Sequence, residues 1–198
     1  MKYIILTALL LVSCKDDNKF IPPPAPYQGW SIGPIINGKN YSVNMPLQMV
    51  GNTIEFGPDA EPHYVTKPTG SIANASVIRM RFNIEGGKIY GKGCGEASVG
   101  TISLYFQQKN DGWRTDGSRW WTAPASLDHE GEYEIIAPLD GIWGSVMTMN
   151  SSTNPMEFTN AKINAGQIGF TFGNCEGLGH GVRATGPVKF TLIDYGVE

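Results

Sequence analysis

The chain has 198 residues, the size of one domain with a sizeable core, and its 15 Lys and Arg set against 18 Asp and Glu leave a formal net charge of −3 at pH 7. The basic residues form no block, which excludes the electrostatic footprint of a nucleic-acid binder and leaves no polybasic patch for a membrane surface. Its 25 Gly, 11% aromatic content and frequent Asn, Ser and Thr, with almost no helical periodicity, predict an all-β chain of short strands joined by turns.

The first element is an apolar run, Ile4 to Val12, that follows Met1-Lys2 and ends in Leu11-Val12-Ser13-Cys14. A largely apolar run of about nine residues is too short to cross the ~30 Å hydrocarbon layer as a permanent helix but suits the core of a signal peptide. Leu11-Val12-Ser13-Cys14 resembles the lipobox of bacterial lipoproteins. That resemblance implies removal of residues 1–13, a diacylglycerol on the Cys14 thiol, and a lipid anchor in place of a membrane helix. The following Lys15-Asp16-Asp17 makes a Cys-Lys-Asp-Asp start similar to the export signal of surface-exposed lipoproteins of the Bacteroidota, which implies an outer-membrane, cell-surface address. A plain secretory peptide and an ordinary solvated tether remain the alternatives. Residues 14–27 then read as that tether, because Pro22, Pro23, Pro24 and Pro26 favour extended polyproline II at ~3 Å per residue.

Residues 28–198 read as one domain. Val77 to Ile84 alternates Ile78, Met80, Phe82 and Ile84 with Arg79, Arg81 and Asn83; Thr101 to Gln108 alternates Ile102, Leu104 and Phe106 with Ser103, Tyr105 and Gln107. Each predicts a strand with one dry and one wet face. Further strands are predicted at Ser31–Ile36, Asn40–Val43, Thr53–Phe56, Lys88–Tyr90, Arg119–Thr122, Tyr133–Ala137, Ser145–Met149, Gln167–Phe172 and Val188–Tyr195. Turn pairs separate them, among them Gly86-Gly87, Asp111-Gly112, Asp116-Gly117 and Asp140-Gly141. Ten to twelve antiparallel strands in one domain pack most economically as a two-sheet antiparallel β-sandwich of jelly-roll type, with an up-and-down barrel as the alternative.

With Cys14 given to lipid, Cys94 and Cys175 are left to pair as a disulfide in an oxidising compartment, or to pack as two separate thiols. Neither has a second Cys or a His at ligand spacing, so no metal site is expected. A structural Ca²⁺ fits such turns, yet no dense acidic loop marks one, and no cofactor is expected.

The densest aromatic cluster is Tyr105 to Thr122. There Trp113, Trp120 and Trp121 stand beside Arg114, Asp116 and Arg119, an aromatic plate with a polar border of the kind that suits the C–H face and hydroxyl fringe of a sugar ring. Adjacent Trp120 and Trp121 must point to opposite faces of a strand, so one is expected in the core and the other outside it. A second cluster sets His180 among Gly173, Gly177, Gly179 and Gly181, a loop that bends sharply or admits a close neighbour. His180, His63 and Tyr64 form a possible secondary site, although neighbours such as His63 and Tyr64 point apart on a strand. For catalysis, Glu132 and Glu134 share a strand face, near Asp128 and Glu130, but solvated carboxylates are the commoner outcome there. Serine-hydrolase and phosphate-loop motifs are missing.

The domain is similar, in architecture and composition only, to carbohydrate-binding jelly rolls and to accessory glycan-binding lipoproteins of the Bacteroidota. The leading expectation is a surface-anchored, non-catalytic glycan-binding module. A sandwich-fold polysaccharide hydrolase or lyase and an adhesin or envelope protein-interaction module are the alternatives.

Overall fold

The computed structural model describes residues 29–33, 35, 36, 39, 40, 47, 49–112, 115–146, 148–174 and 177–198. The signal peptide, Cys14 and the Pro-rich tether lie outside the described residues. In chain order the elements are β1 (Ser31–Ile32), β2 (Ile35–Ile36), β3 (Lys39–Asn40), β4 (Met49–Val50), β5 (Thr53–Phe56), β6 (Tyr64–Pro68), β7 (Val77–Gly86), β8 (Ile89–Gly91) and β9 (Thr101–Gln108). There follow β10 (Arg119–Trp121), β11 (Ala125–Ser126), β12 (Gly131–Pro138), β13 (Gly144–Ser145), α1 (Pro155–Ile163), β14 (Ala165–Asn174), β15 (Gly177–Leu178), β16 (Val182–Ala184) and β17 (Val188–Val197).

They build a two-sheet antiparallel β-sandwich. The larger sheet runs β1-β6-β14-β9-β10-β13, with β11 paired to β9 and β15 to β14; the smaller runs β12-β7-β17-β5-β4. Between them lies the core. Val65, Ile102, Leu104, Phe106, Trp120, Ile168, Phe170 and Phe172 come from the larger sheet, and Ile54, Phe56, Ile78, Met80, Phe82, Ile84 and Phe190 from the smaller. Aromatic rings bridge the layers: Phe190 stacks on Phe170 at 5.2 Å and meets Phe172 edge-on at 5.6 Å, arrangements that add to simple area burial.

The long alternating strands form where their patterns place them, since a period of two leaves one register that buries the apolar set. Three features depart from the expectation. The chain contains a helix, α1, which starts on Pro155 and buries only Phe158 and Ala161. Its Phe158 seals the core against Trp120 at 4.9 Å and Phe106 at 5.7 Å, so tertiary packing and not amphipathic periodicity holds it. The strand expected over Ser145–Met149 stops at Ser145, because Asp116 takes the Ser145 and Thr148 hydroxyls into a loop instead. And β9 has no wet face: Ser103, Tyr105 and Gln107 are as buried as the apolar set. β9 lies inside the larger sheet, between β14 and β10, and long side chains of neighbouring strands crowd against its outer surface. Five strands, β4, β6, β11, β15 and β16, are too short or carry too little alternation to be expected from sequence.

Candidate functional site

The outer face of the larger sheet is set by cross-strand register. Trp121 lies opposite Tyr105, Tyr105 opposite Gly169, and Gly169 opposite Thr66. One step along, Ser103 lies opposite Thr171 and Thr171 opposite Tyr64; in the other direction Arg119 lies opposite Gln107 and Gln107 opposite Gln167. Directly opposed residues share a face, so an aromatic cluster of Tyr64, Tyr105 and Trp121 forms here, with Val146 and Leu178 packed against it. Tyr64 meets Tyr105 edge-on at 5.2 Å. The Arg119 guanidinium stands 6.0 Å from both the Tyr64 and the Trp121 rings, within cation–π range. Its charge is balanced by buried Asp111, which also accepts a hydrogen bond from Ser118 Oγ at 2.7 Å. Burial pushes the Tyr105 and Tyr64 hydroxyls above the ordinary phenol range, for Tyr64 against the pull of Arg119.

Beside Trp121 opens a groove of about 690 Å³, lined in part by Thr122, Ile142, Ser145, Val146, Leu178 and His180. It is mostly apolar.

Of the expected sugar-binding residues, the adjacent tryptophans divide as strand geometry requires. Trp120 is fully buried in the core, where its indole N–H donates to the Gly117 carbonyl at 2.8 Å, so it offers a ligand no surface. Trp121 takes the outer face, 6% exposed, and forms a groove wall and not an open platform. Arg119 is buried beneath the cluster, and Asp116 is a loop-holding group: hydrogen bonds from Ser145, Thr148 and the Gly117 amide keep its carboxyl below the usual range although burial opposes ionisation. Trp113 and Arg114 lie outside the described residues. Sequence reasoning missed Tyr105, Ile142 and Leu178, which only the sheet register and the return of β15 bring to Trp121.

The glycine-rich segment behaves as its composition predicts. Gly179 and Gly181 hold φ of +80° and +84°. A Cβ at Gly179 would collide with the Tyr64 hydroxyl, and one at Gly181 would sit 2.6 Å from His63 Cδ2. His63 and Tyr64 therefore both lean on this loop instead of diverging, since His63 precedes the first residue of β6. The carbonyl of Gly179 lies 3.0 Å from His63 Nδ1. Glu61, held by Lys92 at 2.8 Å and by Arg183, approaches His63 Nε2 at 3.7 Å. Burial lowers the His63 pKa, and the Lys92 charge adds to that. His63 is thus bound into a structural ion cluster, while His180 is exposed at the groove. Substituting Gly179 by Ala is expected to cost about 1–2 kcal/mol for the left-handed backbone alone and more for the displaced Tyr64, read as a lower melting temperature and altered tyrosine fluorescence.

Among the described residues no cluster of three His, Cys, Asp or Glu could hold a metal, and no helix is long and apolar enough to cross a membrane. Glu132 and Glu134 lie exposed on β12, at an edge of the other sheet, with Glu132 facing Arg81 at 3.4 Å; Asp128 and Glu130 are exposed as well. None of the four lines the groove.

Fold and site together define a class: a two-layer antiparallel sandwich with an aromatic-walled groove on the outer face of its larger sheet. No protein-family model matches the chain, and no curated protein matches it in sequence. Among solved structures it is similar to a xylan-binding module, CBM15, at 15% identity and a TM-score of 0.45, covering 84% of this chain and 92% of that one. It is also similar to Xylanase10C from Cellvibrio japonicus in complex with xylopentaose, at 12% identity and a TM-score of 0.46; there 88% of this chain matches 28% of the other.

Proposed function

We propose that this protein is a non-catalytic glycan-binding lipoprotein, held at the bacterial outer membrane by lipid on Cys14 and facing outward, with the groove beside Trp121 as its sugar site. The observation that carries the reading is this groove's make-up: a tryptophan wall, apolar side chains, hydroxyls of Thr122 and Ser145, and no carboxylate among its described lining residues. Hydrolysis of a glycosidic bond calls for two carboxyl groups flanking it, and the described lining residues supply no such pair. An extended Pro-rich stretch between Cys14 and the domain suits a spacer from a lipid surface.

A Cys94–Cys175 disulfide belongs to this proposal. Cys175 lies outside the described residues. In support, the turn that carries Cys94 starts at Gly91, whose Cα lies so close to the residue before Cys175 that a Cβ there would collide with Asn174 Cβ.

Trp121→Ala is expected to weaken glycan retention about 10-fold or more, the effect of losing a central aromatic anchor. Because Trp121 also supports Leu178, Ile142→Ala serves as a companion: Ile142 is 71% exposed, and its loss leaves the fold intact while thinning the groove wall. Affinity electrophoresis of both variants on a retained glycan, with circular dichroism as the folding control, is the measurement. Full retention by both would displace the site from this groove, and shortened glycan products after incubation with the parent protein would replace binding by catalysis.

A further inference from the structure

We infer that the glycan taken by this groove is uncharged: a neutral polymer of hydroxylated sugars, and not a uronate-rich or sulfated one. The inference rests on the glycan-binding reading above and adds the ligand's chemical class.

The charges described near the aromatic face are committed within the protein. Arg119 is 2% exposed and paired with Asp111, itself 0% exposed. Asp116 accepts from Ser145, Thr148 and the Gly117 amide. Behind the glycine loop, Lys92 and Arg183 both hold Glu61. The described residues lining the groove include no Asp, Glu, Lys or Arg, and His180 is their one titratable side chain. An anionic sugar in a recess of this kind needs a cation or several charge-assisted donors. Drawing Arg119 out to meet it would leave Asp111 buried without that cation, a costly exchange.

The polar atoms that remain uncommitted on the same face are neutral. Ser103 Oγ, Tyr105 Oη, Trp121 Nε1 and Gln167 Oε1 are buried with no hydrogen-bond partner. Buried polar groups in native folds are rarely left so. Two hydroxyls, an indole N–H and an amide oxygen bring no net charge to this face, so they supply nothing that would balance an anionic sugar. Trp121 joins the two observations, since it walls the groove and carries one of these atoms.

The test is affinity electrophoresis of the whole chain in gels containing neutral polymers (xylan, mixed-linkage β-glucan, glucomannan, fully methyl-esterified polygalacturonan) or acidic ones (polygalacturonate, alginate). Retardation by at least one neutral polymer is expected, changing less than about twofold between roughly 50 mM and 500 mM NaCl because no exposed ion pair is being screened. No retardation is expected by the acidic polymers. Retardation by an acidic polymer alone, abolished by salt, would overturn the inference while leaving the glycan-binding reading in place. No retardation by any polymer would remove that reading, and this inference with it.

Discussion

Asp111→Ala lowers the stability of the fold by about 3–5 kcal/mol, the range for removing one partner of a buried ion pair. Asp111 is 0% exposed and Arg119 2% exposed, and the two carry the ion pair at the base of the Tyr64, Tyr105 and Trp121 cluster. Taking away the carboxylate removes the counter-charge of a guanidinium held in a low-dielectric setting, whose neighbours include two aromatic faces and the Tyr64 hydroxyl at a long 3.4 Å. None of these replaces a full negative charge. It also strips Ser118 Oγ of an acceptor in the β9–β10 loop. Chemical denaturation of Asp111→Ala, Arg119→Met and the double variant checks the argument as a double-mutant cycle. The double variant recovers most of the single Asp111→Ala loss, because an apolar chain at position 119 carries no charge to be left behind. A double variant no more stable than Asp111→Ala would assign the loss to the loop and not to the ion pair.

What the sequence revealed and what it hid divide along a physical line. Period-two alternation in Val77–Ile84 reports a strand with one solvated face, and β7 conforms: its Ile78, Met80, Phe82 and Ile84 are buried while Arg81 and Glu85 are exposed. The same pattern in Thr101–Gln108 predicts water on one side, yet Ser103, Tyr105 and Gln107 lie buried. Alternation encodes which side chains share a face; it does not encode whether that face is later covered. The candidate site falls on such a covered face. Local rules separated Trp120 from Trp121 correctly, since adjacent strand residues must diverge, and the glycines around His180 did announce a loop that other groups approach closely. Yet the partners of Trp121 come from β9, from Ile142 and Val146 on either side of β13, and from β15, elements brought together by sheet order alone. Helix α1 escaped for a related reason. Nine residues with two buried side chains give almost no periodic signal, although Asn154 at the cap, Pro155 at the first turn and acidic Glu157 do mark its start.

Reducing the proposed Cys94–Cys175 cross-link is expected to lower stability by roughly 4 kcal/mol, the chain-entropy value for releasing a closed loop of about 80 residues. The loop so closed contains β9, β10, β11, β12, β13, α1 and all of β14, that is, three inner strands of the larger sheet and the edge strand of the smaller among others. In the oxidised unfolded chain these segments stay tethered near their native neighbours; reduction frees them and raises the entropy that folding must overcome. The native state changes little by comparison, because the Gly91 turn and the Asn174 strand end are already pinned by other contacts: Asn174 Nδ2 donates to the Val99 carbonyl, and the Gly91 amide donates to Ser98 Oγ at 3.0 Å. The effect should therefore appear as a lower guanidinium midpoint with only a modest change in the native circular dichroism spectrum. Cys94→Ala should reproduce the loss in the absence of reductant. Two titratable thiols in the denatured, unreduced protein, or a midpoint indifferent to reductant, would show that residues 94 and 175 pack as separate thiols, leaving the larger sheet to be held by its ladder and its aromatic core alone.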